Sequence, residues 1–178
     1  MRVIAGLYGG RNIQAPDTVA THPMSERVRN ALFNIVSDEI KGAVVLDAFA
    51  GSGALGLEAL SRGASHVTFI ERDSRAISTL KDNIALFNLA GQSGTTQADV
   101  ASWIDSCNTM FDVILVDPPY DDIQLLTVMK LKKLLKPNAL MILSYPGSGE
   151  VPTANGVVVV DNRSYGTAAL AFYRLETV

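Results

Sequence analysis

From Val44 onward, short unbroken apolar runs alternate with stretches in which apolar residues recur every third or fourth position. The runs are Val44-Val45-Leu46, Val67-Thr68-Phe69-Ile70, Val113-Ile114-Leu115-Val116 and Leu140-Met141-Ile142-Leu143. Rich in β-branched and aliphatic residues, they suit strands buried on both faces. A weaker strand is expected at Thr95-Thr96-Gln97-Ala98. The intervening stretches, Ala54 to Arg62, Ala76 to Phe87 and Ile123 to Leu135, read as helices; Ile77, Leu80, Ile84 and Phe87 share one face of the second. This alternation predicts an α/β fold, a parallel sheet with helices on both faces.

Both ends of the chain break the pattern. Arg2-Val3-Ile4-Ala5 and Arg11-Asn12-Ile13-Gln14 flank Gly9-Gly10 and read as a β-hairpin. Ser25 is placed to cap a helix carrying Val28, Leu32, Ile35 and Val36. Val157 to Val160 and Ala168 to Leu175 read as strands joined by the loop 161–166, with no helix between them. A terminal antiparallel pair on a parallel sheet is expected. The division is then residues 1–24 as a small hairpin extension and residues 25–178 as one α/β domain.

Composition agrees with a compact fold: 178 residues, 48% hydrophobic and 19% charged, which excludes disorder. The net charge of −3 argues against a protein that coats nucleic acid broadly. That charge is unevenly spread. Residues 1–35 hold four Arg against Asp17 and Glu26, a net of +2, and residues 36–178 carry −5. No run of apolar residues is long enough for a membrane span, and the start lacks a signal peptide's hydrophobic stretch. With one cysteine, Cys107, and two histidines, no zinc-type cluster can form, and no spacing asks for a metal. A cytoplasmic monomer is expected.

Asp47-Ala48-Phe49-Ala50-Gly51-Ser52-Gly53-Ala54-Leu55-Gly56 follows the first strong strand and opens a helix, the context in which G-x-G-x-x-G is informative. Glycines there let the backbone turn sharply and approach a ligand. Glu71, after the next strand, is placed to accept two hydrogen bonds from a ribose diol. Dinucleotide and S-adenosylmethionine enzymes share this arrangement. Asp47 favours the second, because a carboxylate before the loop repels a pyrophosphate but suits an ammonium and a sulfonium. Asp99 is placed either to hold an adenine amino group or to cap the helix from Val100 to Ile104, and both can hold.

Phe111-Asp112-Val113-Ile114-Leu115-Val116-Asp117-Pro118-Pro119-Tyr120 is the most specific stretch. An amino group conjugated to a planar ring is a poor nucleophile, since its lone pair is delocalised. The Asp117 carboxylate and the Pro118 carbonyl can hold its two N–H bonds and leave the nitrogen facing a donor methyl. Pro119 keeps the turn rigid, and Tyr120 can stack on the ring.

Asp117-Pro118-Pro119-Tyr120 resembles the signature of S-adenosylmethionine-dependent methyltransferases acting on exocyclic amino groups. Three further blocks resemble the bacterial RsmD-type family, which methylates a guanine N2 in 16S ribosomal RNA. They are Met1 to Gly6 with Gly10-Arg11, Pro23 to Ile35, and Leu46 to Ala64. The resemblance implies a Rossmann-like class I fold with a seven-stranded sheet and a reversed last strand. It implies S-adenosylmethionine around Asp47, Phe49, Ala50, Gly51, Ser52, Gly53, Glu71, Arg72, Asp99 and Val100, and catalysis at Asp117, Pro118, Pro119 and Tyr120. A direct displacement is implied, with the amine attacking the methyl carbon opposite the sulfur.

RNA contact is implied for the hairpin, with Arg2, Arg11, His22, Arg27 and Arg29 as candidates. Where the family carries basic residues this chain has Leu7 and Gly10, and His22-Pro23-Met24 replaces Arg-Pro-Thr. A second cluster, Lys130, Lys132, Lys133 and Lys136, lies toward a helix C-terminus, where cations favour the dipole. Rival readings are a methyltransferase of DNA adenine or of a protein glutamine amide, a nicotinamide oxidoreductase, and a non-catalytic RNA-binding module. The oxidoreductase has no use for Asp117 to Tyr120.

Overall fold

The computed structural model describes residues 1–17 and 23–177. Its elements are α1 (Glu26–Ile35), α2 (Ser37–Ile40), β1 (Val44–Asp47), α3 (Ala54–Ser61), β2 (His66–Glu71), α4 (Ser74–Leu86), β3 (Ser93–Gln97), α5 (Val100–Ile104), β4 (Phe111–Val116), α6 (Leu125–Lys130), β5 (Leu135–Pro146), β6 (Val157–Tyr165) and β7 (Ala168–Leu175). The seven strands form one sheet in the order β3-β2-β1-β4-β5-β7-β6. Strands β3 to β5 run parallel, and β7 enters antiparallel between β5 and β6. This is the Rossmann-like class I methyltransferase fold.

Unbroken apolar runs became central strands because both faces are covered. Val113 and Leu115 of β4 join one core with Leu32, Phe33, Phe69 and Leu80, whereas Ile114 and Val116 join the other with Leu46, Met141 and Tyr173. Ser25 caps α1 through its Oγ, which accepts from Val28 N at 3.3 Å. No described helix is long and apolar enough to cross a membrane.

Three expectations shift. The first hairpin is reduced to one antiparallel bridge, Arg2↔Asn12, with Val3 N donating to Arg11 O (2.9 Å) and Gly10 N to Val3 O (2.8 Å). Its turn is therefore wide rather than a tight Gly9-Gly10 corner, because residues 4–8 lie flat on α3. There Ile4 N and Ala5 N donate to the Glu58 carboxylate, and Tyr8 N donates to Ser61 Oγ. Strand β6 continues through most of the expected loop, with a bulge between Val159 and Asp161. The helix expected over 123–135 stops at Lys130 and tightens into a 3₁₀ turn, Leu131–Leu134, before β5.

Candidate active site

A cleft of about 850 Å³ opens at the carboxyl ends of β1, β2 and β4. It lies where the strand order reverses between β1 and β4, the position at which open α/β sheets bind ligands. Phe49, Ala50, Gly51 and Ser52 form its floor; Glu71 and Arg72, then Asp99 and Val100, line one side. Asp117, Pro118, Pro119 and Tyr120 line it as well, and so do Met1, Pro23 and Met24 from the leading segment. The two strongest motifs of the sequence thus meet in one cavity. His22 lies outside the described residues.

The three glycines of the loop do different work. Gly51 has φ +54 and open space where a Cβ would stand, so it alone offers bare backbone to a ligand. A Cβ on Gly53 would meet Leu80 Cδ1 at 2.3 Å, and one on Gly56 would meet Phe69 Cε1 at 2.2 Å. Those two let α3 pack against the sheet and α4.

Asp47 corrects an expectation. It is fully buried and does not line the cleft; its Oδ2 accepts from Gly56 N at 2.9 Å beneath the loop, and among the described residues its Oδ1 has no partner. Burial pushes its carboxyl up to about 7, with the negative charges of Asp117 and Glu71 adding to the effect. Glu71 does reach the cleft, where its Oε2 accepts from Gly51 N (2.8 Å) and its Oε1 from Asp73 N (2.8 Å). It therefore ties the glycine loop to the end of β2. Asp99 caps α5, its Oδ1 accepting from Ala101 N at 2.9 Å, while it still lines the cleft.

At the other wall, burial pushes the Asp117 carboxyl up to about 6, against hydrogen bonds from the Ser144 hydroxyl and the Met24 N–H that pull it down. Asp47 and Asp117 both hold protons in the folded chain at pH values where the unfolded chain has lost them. Their ionisation therefore erodes stability as pH rises from about 4 to about 7. The Tyr120 hydroxyl lies 2.6 Å from Ser144 Oγ, and the residue remains 39% exposed. Asp122 N donates to Pro119 O at 3.0 Å and closes the turn, whereas among the described residues no backbone hydrogen bond ends on the Pro118 carbonyl. Sequence reasoning missed Ser144. A lone serine in the apolar run Leu140–Tyr145 was the available signal.

The arginines sort by burial. Arg29 is fully buried, donates to Arg2 O and lies 3.9 Å from Glu58, so it props up the hairpin instead of meeting phosphate on the surface. Arg11 stays exposed but is braced, with its guanidinium 4.4 Å from the Phe87 ring centre and donating to Leu86 O. Arg2 pairs with Glu26 at 3.1 Å, and Arg27 is exposed. In the lysine cluster, Lys133 pairs with Asp105 and Lys136 with Asp112, while Lys132 reaches Asn155 O.

The family described as conserved hypothetical protein 95 matches residues 1–174. This chain belongs to the RsmD-type family. The Haemophilus influenzae relative named ribosomal RNA small subunit methyltransferase D is 32% identical over 184 residues, covering 98% of this chain and 93% of that one. Its Escherichia coli K12 namesake is 40% identical over 120 residues, covering 67% of this chain and 60% of its own length. Among solved structures, yhhF from Escherichia coli superposes with a TM-score of 0.89 at 33% identity, covering 99% of this chain and 98% of that one.

Proposed function

We propose that this RsmD-type protein, acting as a monomer, transfers a methyl group from S-adenosylmethionine to the N2 amino group of a guanine in 16S ribosomal RNA. The observation that carries the reading is the convergence of Asp117 to Tyr120 and the glycine loop on one cleft. The residues present suit an adenosyl cofactor. Gly51 leaves bare backbone at the floor, and Glu71 and Asp99 offer carboxylates at the side for hydroxyl and amino groups. Phe49, Ala50, Ser52, Gly53, Arg72 and Val100 complete that surface or shape its loop, and Asp47 acts from beneath by holding the loop. Bound there, S-adenosylmethionine supplies an electrophilic methyl on a sulfonium.

This chain's own residues handle the base. The Asp117 carboxylate and the Pro118 carbonyl accept the two N–H bonds of the amino group, which turns its nitrogen lone pair out of conjugation. Pro119 holds the turn, and the Tyr120 ring stacks on the base. As the N–C bond forms, the nitrogen sheds one proton to Asp117 or to water. The guanine must leave its stack to enter, which is cheapest in a loop. Residues 1–24 form the extension that meets the RNA, with Arg2 and Arg11 at phosphate, and the residues from 25 onward form the transferase domain, whose Arg27 adds a third phosphate contact.

Small subunits from cells lacking this enzyme, given labelled S-adenosylmethionine, are expected to acquire label in N2-methylguanosine of 16S RNA. Label in adenine, in protein or in DNA alone overturns the assignment. Asp117→Ala is expected to slow transfer by about 10²- to 10³-fold while S-adenosylhomocysteine binds as before. Equal loss of both would make Asp117 a cofactor ligand or a structural residue.

A further inference from the structure

Tyr165, Thr167 and Ala168, at the tip of the β6–β7 hairpin, line the same cleft as Asp117 and Tyr120. We propose that this tip is the wall that reads the target base, with the Tyr165 phenol donating to O6 of the guanine whose amino group faces Asp117. The proposal rests on the reading above for the identity of the base, whereas the wall itself follows from the strand register.

Strand β4 ends at Val116, paired with Leu143, while β5 runs on to Pro146, paired with Ala168 of β7. The tip therefore stands about 10 Å beyond the end of β4 and two strand spacings, again about 10 Å, to its side. Alternation puts both walls on one face of the sheet. Val113 and Leu115 of β4 share a core with Leu170 and Phe172 of β7, and Tyr165 and Ala168 pack against that core. Val116 faces the other core, so Asp117, next in line, falls on the Tyr165 side. The gap between them suits a purine once both side chains reach into it.

The tip is braced. Gly166, at φ +71, and Thr167 make a two-residue turn between the paired residues Tyr165 and Ala168. Gly147 N donates to Thr167 O at 2.9 Å, and a Cβ on Gly147 would meet Gly166 O at 2.2 Å, so the tip lies directly against the backbone leaving β5. Tyr120, Tyr145 and Tyr173 engage their hydroxyls within the fold, on Ser144, Asn162 and the Pro152 carbonyl. Half-buried Tyr165 lines the cleft, and among the described residues no hydrogen bond holds its hydroxyl. With the 2-amino group of guanine at Asp117 and Pro118, the other end of the same edge carries O6, which only accepts. A phenol donates to such an oxygen, and a phenylalanine cannot.

The test has two arms. In the first, protein labelled with 3-fluorotyrosine and saturated with S-adenosylhomocysteine is followed by ¹⁹F NMR, the Tyr165 signal being assigned by its loss in Tyr165→Phe. Millimolar 5′-GMP is expected to move the Tyr165 and Tyr120 signals and to leave those of Tyr145 and Tyr173 in place. The 5′-monophosphate of 2-aminopurine riboside, which keeps the 2-amino group and lacks O6, is expected to move Tyr165 less. A Tyr165 signal that stays still with 5′-GMP, or that answers both nucleotides equally, overturns the proposal. In the second arm, methyl transfer to small subunits from cells lacking the enzyme is compared among variants. Tyr165→Phe is expected to lower kcat/KM for the subunit about 3- to 10-fold and Tyr165→Ala about 10- to 100-fold, with S-adenosylhomocysteine affinity unchanged in both. A Tyr165→Phe enzyme as fast as wild type overturns the donor role. A Tyr165→Ala loss shared equally with S-adenosylhomocysteine affinity would mean packing alone, and would also overturn it. A wild type that transfers no methyl to RNA while 5′-GMP still moves Tyr165 sinks the functional reading and leaves the wall in place.

Discussion

The chain carries a small antiparallel hairpin at each end of its fold, and the two are held by opposite means. The last one, β6 and β7, extends the sheet: β7 pairs with β5 from Met141↔Tyr173 to Pro146↔Ala168, and β6 pairs with β7 along its whole length. Backbone ladders do the holding there, and Val158, Val159 and Val160 stay exposed on the outer edge. The first hairpin adds no strand. Its amides are received by side chains of α3: Glu58 takes Ile4 N (2.7 Å) and Ala5 N (3.1 Å), and Ser61 takes Tyr8 N (2.9 Å). Beneath it, Arg29 donates to Arg2 O, and Arg62 Nε closes on Glu58 at 2.7 Å. A segment tied by buried charges depends on single residues, whereas one tied by a ladder spreads its support over many.

Glu58→Ala is the most direct way to break that contrast. It orphans two backbone amides and takes from the buried Arg29 the one carboxylate within 4 Å of it among the described residues, an expected loss of about 3–5 kcal/mol in urea unfolding. Amide exchange at Ile4 and Ala5 is expected to accelerate beyond the global change. A loss under about 1 kcal/mol would mean the hairpin is held by Val3 and Ile13 in the core, and the proposed difference between the ends would vanish.

How much of this was legible follows from the same contrast. Alternating apolar runs announce a ladder, because each residue's neighbour across the strand obeys the same period. The strands β1, β2, β4, β7 and the core of β5 were accordingly readable, and so were the Asp117 to Tyr120 block and the glycine loop. Burial of Arg29 was not. Its partners Arg2 and Glu58 are far along the chain, and an arginine two residues from exposed Arg27 reads as surface. The split roles of Gly51, Gly53 and Gly56 were hidden for the same reason, since Leu80 and Phe69 lie on other elements. Asp47 was misplaced because its position before the loop does not tell which side of the loop its carboxylate occupies.

Asn83 sharpens the comparison by joining the first hairpin to the site. Fully buried on α4, it accepts from Gln14 N (2.9 Å) and donates to Gln14 O and to Ser52 O (3.0 Å each). One amide thus fixes both the end of the hairpin and the glycine loop. Asn83→Ala is expected to cost about 1–3 kcal/mol of stability. It should also weaken S-adenosylhomocysteine binding several-fold, a readout that an equal loss elsewhere in the core would leave unmoved. Calorimetric titration with unchanged affinity would separate the hairpin from the cofactor loop.

The smallest expected effect belongs to the other end. Arg163 Nε meets Asp161 at 2.9 Å within β6, almost the separation of Arg62 and Glu58 at 2.7 Å. Distance alone would rank the pairs as equals. Burial separates them: the Arg163 and Asp161 side chains are 54% and 35% exposed, against 12% and 0% for Arg62 and Glu58. Water screens the first pair on its open side, and ordering two mobile side chains offsets most of what attraction remains. Nor does the hairpin need it, because Asn162↔Ala171 and Arg163↔Leu170 are already fixed by the ladder. Arg163→Ala is therefore expected to change unfolding free energy by less than about 0.5 kcal/mol, and the little it changes should disappear in 1 M salt. A loss above about 1.5 kcal/mol that survives high salt would show that this hairpin too hangs on a single side chain, and the distinction between the two ends of the chain would have to be abandoned.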